Sequence, residues 1–284
     1  MFDADNARKT DLRADFQTDP QTDLRTDPQR DLQTDRPHPA RIYDYWLGGK
    51  DNFPPDRVAA EHAIAAAPDI PEAARENRAF LRRAVRYCVE AGVRQFIDIG
   101  SGLPARGNVH EVAQELAPDA RVVYIDNDPI VLAHGRALLA DNRSTTVLTG
   151  DLRDVEELLD RAELRSLIDL SQPVAVLLLA VLHFVDDAQA AAAVRAVHSR
   201  VAPGSHLLLS HSTGEGNPQR AAEVAKTWEN TASNINGRGR AEVEAFFERW
   251  ELLTPGVDFV PLWRPDGPTE HTTRWMYAGV GRKP

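Results

Sequence analysis

Between residues 95 and 210, short apolar runs alternate with longer amphipathic stretches. The runs Gln95 to Gly100, Arg121 to Asp126, Val147 to Thr149, Val174 to Ala180 and Ser205 to Ser210 read as strands. The intervening segments Asn108 to Leu116, Pro129 to Asp141, Val155 to Arg161 and Ala188 to Val201 read as helices. Strands that are apolar throughout are covered on both faces, and helices between them make the pairing parallel. The expected fold is therefore α/β, a mostly parallel sheet with helices on both faces. After Ser210 the rhythm changes. Arg240 to Arg249 reads as a helix, and Glu251 to Thr254 and Arg274 to Val280 read as strands closing the sheet edge in a β-hairpin.

Upstream, Arg41 to Leu47 is helical and breaks at Gly48-Gly49, a second helix runs from Pro55 to Ala67, and a long amphipathic one from Pro71 to Ala91 stops at Gly92. These helices form an expected cap, residues 38–92, on a sheet domain, residues 93–284. From Thr10 to Asp35 the chain cycles through near-copies of Thr-Asp-Leu-Arg and Thr-Asp-Pro-Gln. Such a segment buries too little apolar surface to offset the entropy of ordering it, so residues 1–37 read as a disordered low-complexity tail.

Composition narrows the function. In 284 residues, 42% apolar content fills a sizeable core, while a net charge of -10 and a pI near 5.4 argue against nucleic acid as a partner. Cys88 is the single cysteine and its surroundings are apolar, which excludes a Cys-rich zinc site and predicts a buried, inert thiol. No basic segment followed by an apolar one opens the chain, and the longest apolar run, Pro173 to Val185, is too short to span a bilayer. A cytoplasmic protein without membrane or metal is expected, since no metal-ligand spacing appears. Oligomeric state leaves no trace in the sequence.

The stretch Phe96-Ile97-Asp98-Ile99-Gly100-Ser101-Gly102-Leu103-Pro104 carries the candidate chemistry. An acidic residue within a strand, then Gly-x-Gly at its carboxyl end, makes a tight turn that a ligand can approach at the mouth of a parallel sheet. Gly100 and Gly102 are thus expected to be bare for the ligand's sake. Asp126 ends the second strand 24 residues beyond Gly102, where a carboxylate would accept from ribose hydroxyls. The alternative, capping the next helix, suits Asn127 or Asp128 better because Pro129 fits the first helical turn. Asp151, in Gly150-Asp151-Leu152, is placed either to accept from an adenine amino group or to cap a helix. Ala180 to Phe184 leave the fourth strand on the same edge. The dinucleotide fingerprint would need a third glycine at Ala105, and its absence disfavours a pyrophosphate on the helix N-terminus. S-adenosylmethionine, with a ribose, an adenine and an amino-acid tail but no phosphate, fits these positions better than a nicotinamide dinucleotide.

Pro39-Ala40-Arg41-Ile42-Tyr43-Asp44-Tyr45-Trp46-Leu47-Gly48-Gly49-Lys50-Asp51-Asn52-Phe53 resembles the opening signature of the S-adenosyl methyltransferase family long catalogued as a domain of unknown function. Asn77 to Leu81, Gln95 to Pro104, Asn108 to Val112, Val122 to His134, Ala180 to Val185, Arg240 to Val243 and Tyr277 to Pro284 resemble its further blocks in order. The resemblance implies a Rossmann-like class I methyltransferase fold, a seven-stranded sheet with an N-terminal helical addition over the cofactor. By position it implies that Asp98, Gly100, Gly102 and Asp126 hold the tail and ribose of S-adenosylmethionine, and Asp151 and Leu152 the adenine. Ser101, Leu103, Asn108, Asn127 and Ala180 complete the expected cofactor set. It supplies no acceptor.

Methyl transfer from a sulfonium needs alignment and exclusion of water more than it needs catalytic side chains. His183, just past the fourth strand, is the candidate base for an acceptor that arrives protonated; the alternative is a strand-end histidine that is simply hydrogen-bonded. His211 is a second candidate, and His110 is expected to orient the first helix or the cofactor carboxylate. Tyr43, Lys50 and Asn52, with Tyr45 and Trp46 beside them, form either a lid with polar tips or a packing face. Asn77, Arg78 and Trp263 are further candidates for the acceptor side, against a solvated helix face and a Trp-anchored surface turn. Three functions follow: a methyltransferase acting on a small-molecule acceptor, a module that holds the cofactor without turnover, and an NAD-dependent oxidoreductase.

Overall fold

A computed structural model describes residues 32–139, 142–228, 234–269 and 273–284. The repeat tail as far as Asp31 and the end of the helix expected to reach Asp141 lie outside the described residues. The chain runs α1 (Pro39–Trp46), α2 (Pro54–Ala66), α3 (Ile70–Glu90), β1 (Gln95–Ile99), α4 (Val109–Leu116), β2 (Arg121–Asp126), α5 (Pro129–Leu138) and β3 (Thr145–Thr149). It continues through α6 (Val155–Asp160), α7 (Ala162–Arg165), β4 (Ala175–Leu179), α8 (Asp187–Arg200), β5 (His206–Ser212), α9 (Pro218–Trp228), α10 (Arg240–Ala245), β6 (Glu251–Leu252), β7 (Asp258–Phe259) and β8 (Met276–Arg282).

The sheet order is β3-β2-β1-β4-β5-β8-β6, with β7 also paired to β8. β1 to β5 are parallel, and β8 runs antiparallel to β5. The closing strands are more than the expected hairpin: β8 lies between β5 and β6, and two-residue β6 and β7 both pair with it. Strand order reverses between β1 and β4, so a crevice opens at their carboxyl ends, the place where such sheets bind ligands.

β1 and β4 are apolar on both faces because each face carries a core. Ile97 and Ile99 pack with Val123, Ile125, Val176 and Leu178 on one side. Phe96 packs with Val122, Tyr124, Leu177 and the α3 residues Phe80, Val85 and Cys88 on the other. Alternation along β1 therefore sends Asp98 to the α3 face. Burial pushes the Cys88 thiol far up, so it stays protonated and inert.

The cap is pinned by a buried ionic cluster. Asp128 accepts from the Ile130 N–H and so caps α5, as Pro129 predicts. Its other oxygen lies 2.9 Å from His38 Nδ1 and 3.3 Å from Arg41 Nε. Asp56 accepts from the backbone of His38 and Phe53, which ties α1 to the start of α2. α9 falls in a stretch for which the apolar pattern predicted nothing. Its Val224 and Trp228 join Ile42, Ala60, Ala63 and Ile70 of the cap rather than the sheet core.

Trp263, expected near the acceptor or on a surface turn, is fully buried instead. Its ring sits edge-on to Phe80 and Tyr87, and Arg83 Nε donates to its carbonyl at 2.9 Å. Trp263→Ala should lower unfolding free energy by about 3–5 kcal/mol through the cavity it leaves, measured as the denaturant midpoint. A loss under about 1 kcal/mol would contradict its core position.

Candidate functional site

The turn after β1 is shaped by two glycines with different reasons. Gly100 has φ +74° and Gly102 φ +67°, the left-handed region that side chains disfavour. A Cβ on Gly100 would run into the Val181 side chain, so that glycine lets the turn pack against the loop leaving β4. A Cβ on Gly102 would meet open space. Of the two, Gly100 is bare for the packing of the turn, and Gly102 alone has open space where a side chain would go.

Asp126 fixes the turn. Its Oδ2 accepts from the Gly102 N–H at 2.8 Å and its Oδ1 from the Asp128 N–H at 2.9 Å, which leaves two acceptor positions free. Burial raises its pKa, and the two backbone hydrogen bonds offset part of that. Asp98 accepts no hydrogen bond among the described residues. Desolvation pushes it up to about 7, with Arg78 opposing and Asp126 adding to the rise. Arg78 Nη2 donates to the Gly107 carbonyl and to Asn108 Oδ1. One helical position earlier, Asn77 Nδ2 donates to Tyr43 Oη, which donates to the Ala74 carbonyl; Asn77 Oδ1 is buried without a partner.

These groups share a cavity of about 620 Å³, in the ordinary range for a small-molecule site. It is lined by Asp98, Gly100, Ser101, Gly102, Leu103, Asp126, Asn127, Asp151, Leu152 and Ala180 from the sheet edge. Tyr43, Asn77 and Arg78 line it from the cap and His183 from the loop after β4. Asn108, Lys50, Asn52, His211 and Trp263 do not. Asn108 caps α4 and accepts from the Ala105 N–H; Asn52 braces the glycine loop by donating to Asp44 Oδ2; Lys50 is exposed. His110, as expected, orients its helix, through its ring and backbone contacts with Tyr124 Oη.

The Gly107 and Asn108 amides donate to Glu111 Oε2, so this carboxylate already takes two donors before the start of α4. Its charge there disfavours a phosphate seated on that helix N-terminus. Asp151 is also committed: its four lone-pair positions take Arg153 N, Nε and Nη2 and Asn127 Nδ2, and the Arg153 bonds hold its pKa down at about 2. The Arg153 side chain is 56% exposed and would have to swing away for Asp151 to accept from a ligand.

The environment of His183 opposes a base. The Ser212 N–H donates to Nδ1 at 3.3 Å, which leaves the ring proton on Nε2, and burial with His211 and Arg238 nearby drives the pKa well below 6.5. The ring therefore offers the cavity a donor. His211 is a strut: Nδ1 donates to the Ser212 carbonyl and Nε2 accepts from Arg238 Nη1 at 2.7 Å. Buried Arg238 also donates to the carbonyls of Leu182 and Val185 and to Asp187, and Asn236 N donates to the His183 carbonyl at 2.7 Å. Sequence reasoning missed both residues. The Asn-Gly-Arg-Gly run marks a loop, and nothing in it shows where the guanidinium goes. Among the described residues, no group of three or more His, Cys, Asp and Glu side chains could hold a metal ion, and no helix is long and apolar enough to cross a membrane.

The strand order with antiparallel β8, and a phosphate-free hollow at the ends of β1 and β4, define a Rossmann-like α/β protein of the methyltransferase type. The sequence profile of the S-adenosyl methyltransferase family matches residues 25–284, and the chain belongs to that family. A candidate methyltransferase from Thermobifida fusca YX is 43% identical, with 91% of this chain and 99% of that one covered at a TM-score of 0.85. A DUF574 family protein from Streptomyces avermitilis MA-4680 is 42% identical over 89% of this chain and all of its own, also at 0.85. A carboxy-S-adenosyl-L-methionine synthase from Geobacter metallireducens is 30% identical over 104 residues, 36% of this chain and 38% of its own length.

Because the folded protein keeps a proton on Asp98 between about pH 4 and 7 that the unfolded chain has released, stability falls as pH rises through that interval. Asp98→Asn should therefore stabilise the protein at pH 8 by a few kcal/mol, at ~1.4 kcal/mol per pH unit of difference, and change it little at pH 4. Urea unfolding at the two pH values checks this; equal shifts at both would refute it.

Proposed function

We propose that the cavity binds S-adenosylmethionine against the β1 turn and that the protein transfers its methyl group to a small-molecule acceptor held beneath the cap. The observation that carries this reading is a side-chain-free turn at Gly102, flanked by two buried carboxylates with acceptor positions to spare. The residues fit the group. Asp98 lacks a partner and suits an ammonium, Asp126 has two positions for ribose hydroxyls, and the orphaned Asn77 Oδ1 asks for a donor. Asn127 and Leu152 also line the cavity and would flank the adenine.

When bound, the sulfonium supplies a methyl group that is already activated. The chain's own work is to orient donor and acceptor and to exclude water, which the cap does by covering the hollow with Tyr43, Trp46 and Leu47. His183 donates a hydrogen bond at the wall rather than removing a proton. The single cysteine, buried and protonated, suits a reducing cytoplasmic setting. Residues 38–92 act in this reading as the cap and residues 93–284 as the cofactor domain, although α3 contributes to the core of both.

Calorimetric titration with S-adenosylhomocysteine tests the site. Wild type should bind, NAD should not, and Gly102→Asn should weaken binding more than tenfold while the protein stays folded, since asparagine tolerates the left-handed region. Asp126→Ala should cost about 1–3 kcal/mol. No binding by the wild type, or an unchanged dissociation constant in both variants, would remove the assignment. Turnover of S-adenosylmethionine with a metabolite extract then separates an enzyme from a module that only holds the cofactor.

A further inference from the structure

Away from the carboxylates, the same cavity changes character. Its far wall is built from Trp46 on α1, Phe184 after β4, Trp228 on α9, and Ile235 and Trp275 from the loops before α10 and β8. The rings meet edge-on or tilted, with Trp46 and Trp228 centroids 6.0 Å apart and Phe184 and Trp228 5.6 Å apart. Four separate chain segments thus bring aromatic residues together along the cavity wall. Aromatic surfaces of this kind favour another flat ring, by offset or edge-to-face contact.

One polar group interrupts that apolar wall. The Ser212 N–H to His183 Nδ1 bond holds the ring in place and leaves its proton on Nε2, for which no partner exists among the described residues. A donor left unsatisfied costs free energy, which a ligand oxygen placed beside it would recover.

We infer that this end of the cavity is the acceptor subsite and that its acceptor is a planar hydroxyaromatic compound, with the ring against Trp46, Phe184 and Trp228 and the oxygen at the His183 Nε2–H. The inference rests on the methyltransferase reading, which it deepens by naming the acceptor class. A donor facing that oxygen favours its ionised form, so the hydroxyl proton passes to solvent as the acceptor enters, before the cap excludes water, and no base on the protein is required.

The test is calorimetric titration with 2-naphthol, with its saturated analogue decahydro-2-naphthol, and with inositol, each with and without saturating S-adenosylhomocysteine. The expected result is binding of 2-naphthol at least tenfold tighter than that of the saturated analogue, and none of inositol. His183→Leu should weaken 2-naphthol at least fivefold, and Phe184→Leu at least tenfold, in variants that remain folded by melting temperature. Equal binding of 2-naphthol and its saturated analogue, a preference for inositol, or unchanged affinity in both variants would overturn the acceptor class. The S-adenosylhomocysteine titration is scored separately: its failure alone would sink the cofactor reading, and failure of 2-naphthol beside intact S-adenosylhomocysteine binding would sink only the present inference.

Discussion

The bridge from Asp126 to the Gly102 and Asp128 amides is the constraint on which the cavity depends. A single buried carboxylate at the end of β2 holds the turn after β1 and the start of α5 in one place. Without that acceptor, two buried amides would lose their partner and the glycine turn would have no fixed distance from the neighbouring strand. The arrangement costs desolvation, visible in the raised pKa of Asp126 and of unpartnered Asp98. A site whose carboxylates are buried before a ligand arrives is prepared to gain strongly from a ligand that brings donors or positive charge.

The cap extends the same logic from the other side. Asp128, which Asp126 orients through its amide, also receives His38 and Arg41, so the element that shapes the turn also docks the helix that covers it. On the far side of the cavity, Arg238 ties together Leu182, Val185 and Asp187 with His211 as its neutral brace. The loop carrying His183 and Phe184 is therefore positioned by a residue more than fifty positions later in the chain. The walls of the cavity come from the cap, the sheet edge and the segment between β5 and α10, and no one of them forms it alone.

Much of the fold was readable from residue pattern. Apolar runs such as Val174 to Ala180 can only be strands buried on both faces, and helices between such strands require parallel pairing with ligands at the carboxyl ends. The position of the glycine turn and the acid at the end of β2 were legible for the same reason, since they are properties of adjacent residues. α9 was not, because its few apolar residues face the cap and its signal is divided between two polar ends. The insertion of β8 between β5 and β6 was not legible either, because partner choice among edge strands depends on long-range closure rather than on local pattern.

Roles within the site divide along the same line. Local chemistry sufficed to place Gly102 and Asp126 at the strand ends and the cap at Asp128, since their geometry follows from the strand–turn–helix unit they belong to. It could not separate Gly100, bare because Val181 is there, from Gly102, bare toward the hollow. Nor could it tell that His183 has its proton on the wrong nitrogen for a base, that Glu111 takes two amide donors before its own helix, or that Trp263 belongs to the core. Backbone course is dictated by residues close in sequence, whereas protonation, occupancy and exposure depend on side chains that meet only after the chain has closed on itself.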